Sequence, residues 1–181
     1  MTLEEFANEY LEKEIRIVER FSNEYPFLSI HEKAVIYKYT EDGYESLNEQ
    51  LRVSNGLNIS EFGVHLKNAL DKIPSEFNLA FRGVNLNKSQ LKSYLEAYHS
   101  GELIGEHSFI SASLNENLAW AFGRVRFTIL SRNWKNISII AKHLDEKEVV
   151  LCYNKKFKVL SYDSENGYYE ITLEEVTLTE D

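Results

Sequence analysis

The feature that most constrains this chain is a change of hydrophobic period near residue 78. Before that point apolar residues recur at helical spacing; after it they come in short runs between polar residues. Leu3, Phe6, Tyr10, Ile17 and Phe21 follow one helical stripe, interrupted by Pro26. A second helical segment is expected over residues 30–39, ended by the turn-forming Thr40, Glu41, Asp42 and Gly43. Tyr44, Leu47 and Leu51 resume helical spacing, and Phe62, Leu66, Leu70 and Ile73 form a further stripe closed by Pro74. Residues 79–84 then read as a buried strand, and Leu91, Leu95 and Tyr98 as one more helix. Strands are expected over residues 107–113, 125–130, 137–140, 149–153, 157–160 and 168–173. Helices first and strands later predict an α+β domain rather than a wound parallel sheet. The 181 residues show no repeat, low-complexity stretch or linker, which suits one domain around one core.

Charge narrows the function classes. With 29 acidic against 20 basic side chains the net charge is −9, so binding to a phosphate backbone by counterion release is disfavoured and no nucleic-acid partner is expected. A single cysteine, Cys152, excludes an internal disulfide and a multi-cysteine zinc site, and no metal is expected. The acidic, amphipathic N-terminus has no apolar run of signal or membrane-spanning length. The expectation is a monomer in a reducing cytosol, or a protein injected into a target cell.

Three places put polar residues in strand-like surroundings. Arg82, within LAFRGV, carries a charge it cannot shed and so needs an anion. A core ion pair and a bidentate grip on a phosphate both satisfy that need, and Gly83 beside it permits close approach to the backbone. Ser111 and Ser113 end the run SFISAS on one strand face, with Ala112 on the other. They suit the orientation of a carboxylate, or a turn and cap for a helix beginning near Asn115. Glu146 and Glu148 flank Lys147 before VVLCY, and alternation would give the two carboxylates a shared face. Two close carboxylates repel, which suits a functional pair or a solvated charge cluster. Taken singly, these residues leave both readings open at each place.

In order and spacing, the three places resemble the arginine, Ser-x-Ser and Glu-x-Glu signature of the arginine-specific mono-ADP-ribosyltransferases, in particular the bacterial exoenzymes and binary-toxin enzymatic components. YKYTEDGYESLN resembles the family segment with a Tyr-Thr pair, a second Tyr five positions on and an Asn four later, filled by Tyr39, Tyr44 and Asn48. SFISASLNENLAWAFG resembles its Phe-x-Ser-Thr-Ser strand and the helix ending in Phe-Gly, and DEKEVVLCYNKKFKVLS its Glu-x-Glu strand with a hairpin partner. The likeness spans residues 30–175 and leaves residues 1–29 as a helical extension of one catalytic domain. Ala112 departs from the usual threonine, residues 131–136 give little to match, and no motif falls before Pro26.

The resemblance implies two small, roughly perpendicular sheets around an NAD+ cleft, with NAD+ as substrate. Arg82 would hold the phosphates and the Gly83 backbone the nicotinamide amide. Ser111 would orient the catalytic Glu148, Ser113 would shape the nicotinamide pocket, and Phe122 would pack on the nicotinamide ring. Arg124 would be a second phosphate ligand, with Arg126 competing for that role. Tyr39, Tyr44 and Asn48 would line the cofactor side. Glu148 would stabilise an oxocarbenium-like ribose as nicotinamide departs, and Glu146 would engage the guanidinium of a target-protein arginine. An NAD+ glycohydrolase with the same cleft, and a silent binding module, are the alternatives.

Overall fold

The computed structural model describes residues 1–177. Its helical half is opened by side chains that satisfy free backbone donors. Thr2 and Ser29 each accept a hydrogen bond from the amide three residues on, and Glu5 and Glu32 reach back to close both capping boxes. The first apolar stripe is two helices, α1 (Leu3–Tyr10) and α2 (Glu12–Val18), separated at Leu11. Helix α3 (Ile30–Lys38) is buried along most of its length. The turn expected at residues 40–43 does not break it: the chain widens into a π-helical turn, Tyr39–Gly43, and runs on as α4 (Tyr44–Val53). Thr40 contributes by donating its hydroxyl to the Tyr37 carbonyl at 2.8 Å. Gly43 permits it as well, since a Cβ there would lie 2.9 Å from both the Lys38 carbonyl and the Phe62 ring. Helix α5 (Glu61–Lys72) begins on the Ser60 cap.

The second half is mostly strand: β1 (Ser75–Val84), then α6 (Lys88–Ser100), β2 (Ile104–Glu106), β3 (Ile110–Ser113), α7 (Glu116–Ala119), β4 (Val125–Asn136), β5 (Glu148–Leu151), β6 (Lys155–Glu165) and β7 (Tyr168–Glu175). The strand order is β1-β3-β5-β4-β7-β6-β2, with β1 also paired to β4; only β4 and β7 run parallel. The two expected sheets are therefore joined. β1 and β4 pair with each other along most of their length, and each also pairs with the short β3–β5 ladder, so hydrogen bonds connect all seven strands.

Two sequence expectations fail here for identifiable reasons. Residues 137–140 form a turn rather than a strand, with the Ile140 amide bonded to the Ile137 carbonyl at 3.0 Å. Ile137 and Ile140 are fully buried because they plug the helical layer from a loop, and an apolar run carries no sign of that. The expected single core is likewise two clusters. Val150 packs with the helices around Ile36, Leu51 and Leu70, whereas Val149 and Leu151 pack with Phe127, Trp134 and Phe157. β5 thus has apolar packing on both faces, and the two clusters meet across it. No helix among the described residues is long and apolar enough to cross a membrane.

Candidate active site

β5 carries its first residue, Glu148, into the seam between the clusters. Antiparallel register sets Ser113 directly opposite Glu148 and Ser111 diagonally across, on the same face. Ala112 turns the other way into the second cluster, as alternation requires. The Ser111 hydroxyl donates to the Glu148 carboxylate, and the Ser113 hydroxyl donates to the Glu146 carbonyl. Ser113 also accepts from the Asn115 amide at 2.8 Å, so it does hold the turn into α7 as well.

Glu148 is only 8% exposed. Burial pushes its carboxyl up to about 7; the Ser111 hydrogen bond opposes this, the Glu146 charge adds to it, and Arg82 opposes it. Arg82, on β1, has one hydrogen bond among the described residues, from Nη1 to the Ser111 carbonyl at 3.2 Å. The core ion pair that would have explained this arginine blandly does not occur among them. Tyr39 is buried beside Asn48, Ser111 and Glu148. Its hydroxyl has no hydrogen-bond partner among the described residues, while Asn48 spends its side-chain oxygen on the Phe109 amide at 3.0 Å. Burial, and then the Glu148 charge, raise the Tyr39 phenol above the ordinary tyrosine range.

These groups surround one cavity of about 370 Å³. Tyr39, Tyr44, Asn48, Arg82, Gly83, Ser111, Ser113, Phe122, Glu146 and Glu148 all line it. A model of the ADP-ribosyltransferase exoenzyme family matches residues 7–180. The chain belongs to the ADP-ribosyltransferase exoenzyme family. The match begins well before residue 30, so it takes in most of the segment set aside above as an extension.

Among curated relatives, the chain is 35% identical over 133 residues to a putative NAD(+)–arginine ADP-ribosyltransferase, Mav, of Mycobacterium avium (strain 104), covering 71% of this chain and 16% of that one. It is 27% identical over 144 residues to the NAD(+)–protein-arginine ADP-ribosyltransferase Tre1 of Serratia proteamaculans (strain 568), covering 78% of this chain and 31% of that one. The chain thus spans less than a third of the length of either relative. In fold it resembles exoenzyme S of Pseudomonas aeruginosa, solved with human 14-3-3 protein beta and carba-NAD, with a TM-score of 0.76, 22% identity, and coverage of 98% of this chain and 89% of that one.

Within this exoenzyme fold some sequence-based assignments need correction. Glu146 and Glu148 do share the cavity, but not by strand alternation. Leu144–Glu146 is a 3₁₀ turn, Lys147 takes a left-handed conformation with φ 46°, and only Glu148 lies on the strand. Glu146 meets the cavity from the 3₁₀ turn, on the far side of the left-handed Lys147 from the strand. At Gly83 the close approach is made by the protein itself: a Cβ would meet the Ala119 carbonyl at 2.2 Å, and one on Gly123 would meet the Val84 backbone at 2.2 Å. This backbone crossing carries Phe122, 59% exposed, to the cavity edge.

Neither arginine expected as a second phosphate ligand lines the cavity. Arg124 is exposed, its amide bonded to the Asn85 side chain at 3.2 Å and its carbonyl to the Tyr169 amide at 2.9 Å. Arg126 lies over the rings of Trp120 and Tyr168, 4.8 and 4.5 Å from their centroids, and pairs with Glu170 at 3.4 Å. A second cavity of about 580 Å³ adjoins the first, and Arg82 lines both. There Arg52, Asn85, Gln90, Tyr94, Glu106 and Ser108 contribute to the wall. Arg52 was legible in principle, since it follows Asn48 by one helical turn on α4. Thr40, Glu41 and His143 line the first cavity and were also missed. Thr40 belonged to the quoted Tyr-Thr pair; nothing in its sequence context marks His143.

Proposed function

We propose that this chain cleaves NAD+ between nicotinamide and ribose and transfers the ADP-ribose to an arginine of a target protein. The observation that carries this reading is the pair of carboxylates on one cavity in unlike settings: Glu148 buried and held by Ser111, Glu146 half-exposed on a turn. The names of Mav and Tre1, and the carba-NAD bound to exoenzyme S, point the same way. Two adjoining cavities that meet at Arg82 suit a dinucleotide with a pyrophosphate at its middle. The nicotinamide end would enter the Glu148 cavity, the adenosine end would lie beside Arg52 and Ser108, and the Arg82 guanidinium would hold the phosphates. The Tyr39 hydroxyl, buried without a partner among the described residues, is a donor available to the ligand.

The pyridinium of NAD+ is cationic, and its arrival beside Glu148 favours the carboxylate over the acid. As the glycosidic bond lengthens, positive charge passes from the pyridinium to the ribose and stays within reach of Glu148. Nicotinamide leaves as a neutral molecule, so no acid has to protonate it. Stabilisation of this charge is a transition-state interaction, and Ser111 keeps the carboxylate in position for it. Glu146 then receives the acceptor guanidinium as a fork and takes one proton as the nitrogen–carbon bond forms. The products are ADP-ribosylated arginine, nicotinamide and a proton.

Comparing Glu146→Ala with Glu148→Ala tests the division of labour. The first is expected to lose transfer to arginine while still hydrolysing NAD+, and the second to lose both. Full-rate labelling of a protein target by Glu146→Ala would remove the acceptor role from Glu146. NAD+ hydrolysis by the wild type with no arginine transfer at any acceptor concentration would make the chain a glycohydrolase.

A further inference from the structure

The turn that carries Glu146 lies in the segment 137–147, and it is held at three places. At its base the Ile137 amide bonds the Glu148 carbonyl at 3.1 Å, and Ile137, Ile140 and Ala141 are buried. On the β3 side Ser113 holds the Glu146 carbonyl, and the Leu114 amide bonds the Lys147 carbonyl at 3.2 Å. The third place is Lys142, between the buried stretch and the exposed residues 143–145. Its amide donates to the Thr40 hydroxyl at 2.9 Å, and its Nζ lies 3.3 Å from Glu41 Oε1. Thr40 is fixed in turn, because its hydroxyl hydrogen goes to the Tyr37 carbonyl.

Glu41 is shared. Lys13, on α2, reaches the same carboxylate at 3.0 and 3.1 Å. The Glu41 side chain is 12% exposed, against 37% for Lys142 and 66% for Lys13, so a nearly buried anion bridges two cations on different elements. The two lysines hold the Glu41 carboxyl below its ordinary range.

We propose that Thr40, Glu41 and Lys142 position the Glu146 turn for attack by the acceptor, and that Lys13 ties this brace to the N-terminal helices. They are positioning residues that act through Glu146, and the inference rests on the acceptor role given to Glu146 above. It makes α2 part of the catalytic unit rather than an appendage. A carboxylate on a short turn cannot orient a guanidinium unless the turn is fixed, and a displacement of about 1 Å at a reacting group costs up to about a hundredfold in rate.

The test uses the whole chain, NAD+ and agmatine as a free guanidine acceptor, with transfer and acceptor-free hydrolysis measured separately. Lys142→Met removes the ammonium and keeps the backbone bond to Thr40. It is expected to raise the KM for agmatine about three- to tenfold while NAD+ hydrolysis stays within about twofold. Lys13→Met should act in the same sense but more weakly, because Lys13 is the more exposed partner. Thr40→Val should reduce transfer further, and Thr40→Ser, which keeps the hydroxyl, should restore it.

Equal loss of hydrolysis and transfer in Lys142→Met overturns the proposal. Amide hydrogen exchange separates its failure from failure of the functional reading. Lys142→Met should speed exchange across residues 143–147 whether or not the protein is active, and unchanged exchange there refutes the brace. A wild type that cleaves no NAD+, together with that faster exchange in Lys142→Met, refutes the proposed function and leaves the brace standing.

Discussion

Replacing Glu148 by Gln should make the protein more stable and nearly inactive, and the two effects have one cause. The side chain is 8% exposed, and burial lifts its carboxyl from the ordinary 4.5 up to about 7. The unfolded chain ionises Glu148 at the lower value, so between these limits the folded state binds more protons and stability falls as pH rises. Above pH 7 both states are ionised and the full cost of the buried charge is present, on the order of 3 kcal/mol. Glutamine has nearly the same shape, cannot ionise, and still offers its amide oxygen to the Ser111 hydroxyl. The variant should therefore melt roughly 5–10 °C above the wild type at pH 8, with the difference shrinking towards pH 4.5. Turnover of NAD+ should fall by about two to three orders of magnitude, since the developing charge on the ribose loses its carboxylate. Thermal unfolding across pH 4.5–8.5 without NAD+, alongside a nicotinamide-release assay, checks both halves. A variant less stable than the wild type at pH 8, or an advantage that does not change with pH, would refute the reasoning.

Three other substitutions separate binding from stability. Arg82→Lys keeps a charge but loses the planar fork, and the KM for NAD+ should rise about tenfold or more in steady-state assays. Phe122→Ala removes a 59% exposed ring, so the melting curve should shift by no more than about 0.5 kcal/mol. Calorimetric titration of the same variant should show NAD+ binding weakened about fivefold by the lost aromatic contact. Tyr39→Phe deletes a buried hydroxyl that has no partner among the described residues, so stability should be unchanged or up to about 1 kcal/mol higher. Affinity for NAD+ should drop in that variant; a clear loss of stability instead would mean that the hydroxyl is already paired without ligand.

Much of the site was legible because its residues contradict their surroundings. Arg82 in an apolar strand, two serines on one strand face and two acidic residues before VVLCY each break a local pattern, and all of them reach the cavity. Periodicity placed α5 and α6 near their observed positions because each keeps one face buried. It failed where burial does not follow a period. Ile137 and Ile140 are buried from a turn, β2 is three residues long with Gly105 at its centre, and the π-turn at Tyr39–Gly43 depends on contacts with Phe62 and Tyr37. Arg124 and Arg126 stand outside the lining of the first cavity for a related reason. Arg124 stands just before β4, and on β4 the register with β1 and β7 brings Arg126 to the Trp120 and Tyr168 rings, which no sequence pattern shows.

The Glu146–Lys147–Glu148 triplet shows most clearly what the backbone adds. On a continuous strand the two carboxylates would sit in like environments on one face and would compete for one role. Lys147, a non-glycine residue held at φ 46°, separates the two: Glu148 lies on a strand buried on both faces, and Glu146 on a 3₁₀ turn at the cavity. A left-handed lysine costs about 1 kcal/mol or more, which its neighbours must offset. The Leu114 amide on the Lys147 carbonyl and the Ser113 hydroxyl on the Glu146 carbonyl are placed to do so. On the proposed function, this separation of environments would let one carboxylate face the ribose of NAD+ while the other faces solvent and an incoming guanidinium. Ser113 is therefore as much a determinant of Glu146 as Ser111 is of Glu148: one serine fixes a backbone, the other a side chain.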